Sequence, residues 1–158
     1  MHRFFVYAKF EVIDLKPIDD NQMLQFISKC GEMGVRNIGR VLAYPMASDI
    51  RKDLCEQREE YRNIYERSRN MLRHRGQRPK GLHPALNLAS AIHVKAEMRH
   101  DRSSGGIADM MIHGNKLGLK KSIQRLSHYR GHSEPVRTLA VELMRVEKNG
   151  IEVMKNYL

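Results

Sequence analysis

The sequence predicts an all-α protein: a four-helix bundle made from a duplicated helical hairpin, joined by a long crossover that holds a fifth, shorter helix. Three observations carry this expectation. Apolar and small residues recur at three- and four-residue spacings over four long stretches, which is the period of a one-faced helix. Capping and breaking residues bound each stretch. Finally, one hairpin-sized segment can be laid over another.

Each element follows in order. The opening "RFFVYAKFEVIDL" is aromatic and β-branched and reads as an extended arm over residues 1–16. Residues 17–158 form one helical domain, with hairpin repeats at about 19–74 and 106–158. Pro17, Asp19 and Asp20 make a helix-start cluster, and Met23, Ile27, Cys30, Gly34, Ile38 and Val41 then share one face. Pro45 forces an end near Tyr44, because the residue before proline is pushed out of the α region. Ser48 or Asp49 is expected to cap the second helix, whose inward stripe is Ile50, Leu54, Gln57, Tyr61, Ile64, Ser68 and Met71. That helix runs out in "RHRGQRPKG".

A shorter helix over "HPALNLASAIHVKAEMR" has Pro84 in its first turn, and "HDRSSGG" breaks it. The next stripe is less tidy: Ile107, Met110, Gly114, Leu117, Lys121 and Arg125, broadened by Met111, Gly118, Ser122 and Leu126. Gly131 is expected to stop that helix, and Ser133 caps the last with Pro135 in its first turn. Val136, Leu139, Ala140, Leu143, Val146, Gly150 and Met154 carry the final core face.

With 158 residues the chain is long enough to bury a core without disulfides or metals. Apolar residues at 41% and charged residues at 29% exclude a disordered or collagen-like class. No apolar run approaches 18 residues and no secretory signal is recognisable, so a cytoplasmic protein with no membrane partner is expected. The two cysteines, Cys30 and Cys55, are too few for a disulfide framework and fall at different levels of the first hairpin. They are read as buried or half-buried thiols.

The duplication is seen by placing "KCGEMGVRNIGRVLAY" (29–44) over "HGNKLGLKKSIQRLSH" (113–128), so that Gly34 meets Gly118 and Leu42 meets Leu126. After a two-residue slip in the turn, Glu56 meets Glu142, Asn63 meets Asn149 and Glu66 meets Glu152. Cys30 and Gly34 in one copy, Gly114 and Gly118 in the other, then form a small-x-x-x-small pair. Such pairs let helix backbones approach, so the first helices of the two repeats are expected to cross there. A duplicated hairpin with one long crossover resembles the ferritin-like superfamily, particularly small bacterial members, over about residues 20–158.

That resemblance implies a fold, and for its di-iron members a carboxylate from two helices plus Glu-x-x-His from the other two. Neither "EQREEYRNIYERSRN" nor "VELMRVEKNGIEVMK" holds Glu-x-x-His, and Glu32 has Lys116 as its repeat counterpart. The sequence departs from the pattern where the chemistry would sit, so no di-iron activity and no cofactor are expected. One Glu-x-x-His does occur, Glu97 and His100 with His93 a turn earlier, and is the candidate metal set of a metal-binding alternative. No catalytic residue is assigned, since no nucleophile elbow or carboxylate dyad is present.

Charge gives the remaining functional signal. The formal net charge is +10, and residues 61–158 hold 19 Lys and Arg against 8 Asp and Glu. Within "RNIYERSRNMLRHRGQRPKG", Arg69, Arg73, Arg75, Arg78 and Lys80 form a candidate site for nucleic acid or another polyanion, because guanidinium groups are multi-donor phosphate binders. The sequence therefore predicts a non-enzymatic structural or binding protein, prone to self-association, with polyanion binding as its alternative activity.

Overall fold

The computed structural model describes residues 16–158, and the expected N-terminal arm falls almost wholly outside them. Five α-helices account for most of the described chain: α1 (Asp20–Leu42), α2 (Ser48–His74), α3 (Pro84–His100), α4 (Ser104–His128) and α5 (Glu134–Met154), with a closing 3-10 turn at Lys155–Tyr157. No β-strand longer than a single bridge occurs among the described residues.

α1 starts with a reciprocal capping box: Asp19 Oδ1 accepts from the Gln22 amide at 2.8 Å, and Gln22 Oε1 accepts from the Asp19 amide at 2.9 Å. At its other end the Arg51 side chain donates to the Leu42 and Tyr44 carbonyls, at 3.1 and 2.8 Å, replacing the partners a helix end lacks. The next N-cap is Ala47, with no side-chain bond; Ser48 is already the first helical residue, one position later than its expected role as cap. α2 closes in a Schellman motif. Gly76 takes φ +69°, its amide donates to the Arg73 carbonyl and the Gln77 amide donates to the Leu72 carbonyl.

His83 caps α3 through Nδ1, and Ser103 and Ser133 cap α4 and α5. α4 ends at His128 by a different means from the one expected. Gly131 has no left-handed backbone; instead the Ile18 amide donates to the His128 carbonyl and the Arg130 amide to the Ile18 carbonyl, both at 2.9 Å. Gly131 is small because Asp20 and the Tyr129 ring occupy the place a Cβ would take.

Packing follows connectivity. α1 lies along α2, and α4 along α5. The two pairs meet where α5 packs on α2 and α1, with a slighter α1–α4 contact, while α3 lies on α1 and touches α4. α1 comes close to α2 at Gly31, where an added Cβ would stand 3.0 Å from the Tyr65 backbone. The connection after α2 is tied to α1 by Gln25, which bonds Arg78 and Lys80 main-chain atoms, and by Glu32, whose Oε1 accepts from the Leu82 amide at 3.1 Å.

The core combines Met23, Leu24, Ile27, Ile38, Ile50, Leu54, Ile64, Leu72, Met98, Ile107, Leu139 and Leu143, all fully buried. The α5 stripe is buried throughout as expected. On α2 the stripe holds except that Leu72 takes the place given to Met71. α4 is rotated from its expected face: Ile107, Ala108, Ile112, Asn115 and Ser122 point inward, and Gly114 is exposed. Cys30 is half-buried against the core, but Cys55 is exposed, because it follows the buried Leu54 directly and so turns outward.

Candidate functional site

The basic residues picked from the sequence gather where α2 ends, but they are not equivalent. Arg69 lies over the Tyr65 ring with its guanidinium 4.9 Å from the ring centre, and donates to the Tyr65 hydroxyl at 2.8 Å. Arg75 is spent on structure: it donates to Asn21 Oδ1 at 2.7 Å and pairs with Asp20 at 3.0 Å, binding the end of α2 to the start of α1. Arg73, Arg78 and Lys80 are exposed, with the Arg73 guanidinium no closer than 3.4 Å to its neighbour Asn70. Arg75 is exposed too, but with its guanidinium held against Asp20 and Asn21.

The structure adds cations that no local run discloses. Asp20 also accepts from the Tyr129 hydroxyl and from the Ser133 amide, so the turn between α4 and α5 stands beside the end of α2. Arg130 is exposed on that turn, and the Arg137 guanidinium is 5.0 Å from the centre of the Tyr129 ring. The Tyr129 hydroxyl holds the Asp20 carboxyl below its usual range, and burial together with Asp20 pushes the Tyr129 phenol up to about 12. This Asp20–Tyr129 clasp keeps one anion occupied, while Asp19 and Glu134 stand exposed at the same end beside the cations. Arg130 and Arg137 are the residues that sequence reading missed; the pairing of Ile18 with the 128–130 turn and the bonds of Asp20 to Tyr129 and Ser133 bring them there.

Between the helix pairs lies a second cluster of polar side chains. The Gln57 side chain and the Tyr61 hydroxyl, both on α2, donate to Asn115 Oδ1 on α4, at 3.0 and 3.1 Å. Glu147 on α5 is only 2% exposed, and the Ser122 hydroxyl of α4 donates to it at 3.0 Å. Burial pushes the Glu147 carboxyl up to about 8, against which the Ser122 hydroxyl acts weakly. Burial likewise drives the Tyr61 phenol and the Cys30 thiol upward, each with Glu147 as a second contributor. The Glu147, Tyr61 and Cys30 groups are held neutral near pH 7, and the cluster is only partly satisfied: Gln57 Oε1 and Asn115 Nδ2 are buried without a hydrogen-bond partner among the described residues.

Two of the named glycines are filled by this cluster. A Cβ at Gly34 would overlap the Tyr61 ring, and one at Gly118 would stand 2.9 Å from Glu147 Oε1. Their neighbours are therefore on α2 and α5, within each helix pair, not on each other's helices as expected. Gly114 meets nothing within 4 Å and is no packing contact, since α4 turns that face to solvent. His93, Glu97 and His100 lie along α3 with His100 exposed, and among the described residues no group of three or more His, Cys, Asp or Glu is arranged to hold a metal ion. Glu32 serves Arg36, at 2.7 Å, and the Leu82 amide.

Comparison with protein-family models, curated proteins and solved structures finds no match for this chain. No helix is long and apolar enough to cross a membrane among the described residues.

Proposed function

We propose that this chain is a non-catalytic binding protein that takes polyanions, nucleic acid foremost, on the end formed by the α2 terminus and the α4–α5 turn. One observation carries the reading. Asp20 is bonded both by Arg75 at the end of α2 and by Tyr129 of the α4–α5 turn, so the element carrying exposed Arg73, Arg78 and Lys80 is tied to the one carrying exposed Arg130 and Arg137. Five cations on a preorganised end suit the phosphate backbone, where affinity comes from counterion release and needs no base-specific groove reader.

The scaffold belongs to the same proposal: a bundle derived from a duplicated hairpin, ferritin-like in its connectivity. The helix starts support it. α1 and α4 begin at Asp20 and Ser104, 84 residues apart, and α2 and α5 at Ser48 and Glu134, 86 apart, which is the two-residue slip of the alignment. Tyr61 and Glu147, also 86 apart, fill the equivalent glycines Gly34 and Gly118.

Fluorescence anisotropy with labelled duplex and single-stranded oligonucleotides tests the activity. Binding is expected at about 50 mM salt and should weaken steeply by about 200 mM. The combined variant Arg73→Gln, Arg78→Gln, Lys80→Gln should flatten the log–log salt slope by roughly 2–3. A control variant on the exposed side of α3, Lys95→Gln with Arg99→Gln, should bind as the parent does. No binding at about 50 mM salt, or equal loss in the control, sinks the proposal.

A further inference from the structure

Two carboxylates are buried among the described residues, and their surroundings differ. Glu32 has the Arg36 guanidinium beside it and a backbone amide from Leu82. Glu147 sits where α5 meets the other long helices, and the donor to it is a neutral hydroxyl, that of Ser122. It touches Gly118 and Ser122 of α4, and the Cys30 thiol of α1 and the Tyr61 phenol of α2, across the seam, are near enough to feel its charge. Lys121, Arg125 and Lys29 are near enough for their charges to act on the Cys30 thiol, and Glu60 adds its charge near Tyr61. Arg125 is committed in part to the Phe26 ring, 5.4 Å away.

We propose that Glu147 is a proton-operated lock on the seam between the two helix pairs: with its proton it lets α5 seat against α1 and α2, and without it the seam opens. The step is a simple ionisation. The carboxyl O–H bond breaks, the proton passes to water, and the carboxylate gains its hydration only in the open form. This is independent of polyanion binding, because the seam lies away from Arg73, Arg78 and Lys80.

The sign follows from proton counting. In the closed form the carboxyl titrates at about 8, and in the open form at its ordinary value of 4.5. Between those values the closed form binds more protons, so raising the pH favours opening, by at most tenfold per pH unit. Below 4.5 and above about 8 the two forms carry equal charge and the dependence levels off.

Cys30 reports on the seam, since it lies beside Glu147 and is half-buried. In a Cys55→Ser background, its labelling by a thiol reagent is measured from pH 5 to pH 9, with and without Glu147→Gln. The intrinsic pH dependence of thiol chemistry cancels in the ratio of the two rates. That ratio is expected to rise by at least about tenfold from pH 5 to pH 8 and then to level. In Ser122→Ala the plateau should move to higher pH, because the hydroxyl that favours the carboxylate is gone. Infrared spectra at pH 6 should show a protonated-carboxyl band that Glu147→Gln removes. A flat ratio overturns the proposal, including a flat ratio produced by Lys121 or Arg125 swinging in to pair with the ionised carboxyl. So does the absence of that infrared band.

Discussion

Gly34 and Gly118 occupy matching places in the two helix pairs, yet one receives the ring of Tyr61 and the other the carboxyl of Glu147. The space is of one kind and the occupants are of two. An aromatic ring fills a glycine notch with dispersion contacts and a large apolar area that pH leaves alone. A carboxyl fills it only if it stays neutral or is repaid by donors. The contrast teaches that a helix–helix notch fixes where a side chain goes, while the occupant decides under which conditions the contact holds.

The largest effect expected from breaking this contrast is on the Glu147 side. Glu147→Gln should stabilise the protein by up to about 4 kcal/mol at pH 8 and by almost nothing at pH 4.5, because the folded carboxyl titrates near 8 and the unfolded one near 4.5. The parent loses stability as pH rises across that window, and the variant should not. Urea midpoints at the two pH values check it.

Next come the notches themselves. Gly34→Ala forces a methyl group into the Tyr61 ring and should cost about 1–2 kcal/mol, the overpacking penalty less the helix-propensity gain. Gly118→Ala meets the far end of a flexible carboxyl at 2.9 Å, which can give way, so its net change should be within about 1 kcal/mol of zero. Thermal melts of both variants separate the cases; equal losses would show that the notches are less different than their occupants. Gly114→Ala, with open space around it, should gain close to the full propensity difference of about 1 kcal/mol. The smallest effect belongs to the outer surface. Arg67→Gln breaks a part-exposed pair with Glu142 that links α2 to α5, and should change stability by less than about 1 kcal/mol.

How much of this was legible in the sequence depends on whether residues obeyed one local rule. α5 was readable because Val136, Leu139, Ala140, Leu143 and Val146 repeat the helical period with apolar side chains alone. The α4 stripe included Ser122 correctly but missed Asn115, which is buried through hydrogen bonds from α2 and scores as polar by itself. Gln57 looked like an interruption of the α2 stripe for the same reason. Glu147 drew no attention by itself; its position between Val146 and Gly150 on the buried stripe was the available signal. The basic run after Arg69 was plain. Its completion by Arg130 and Arg137 was not, because proximity across more than 50 residues is a property of packing.

The buried amide pair of Gln57 and Asn115 also sets an order of assembly. α1 and α2 leave the ribosome first and can zip together through neighbouring contacts, but their shared surface is then a half-finished interior with polar groups turned outward. Asn115 arrives 58 residues after Gln57, and Tyr129 closes onto Asp20 only after 109. Closing such loops costs entropy that grows only slowly with their length, so the delay is one of synthesis more than of thermodynamics. During that interval the first helix pair is a surface awaiting its second half, and Gln57 and Tyr61 lack the acceptor that Asn115 supplies later.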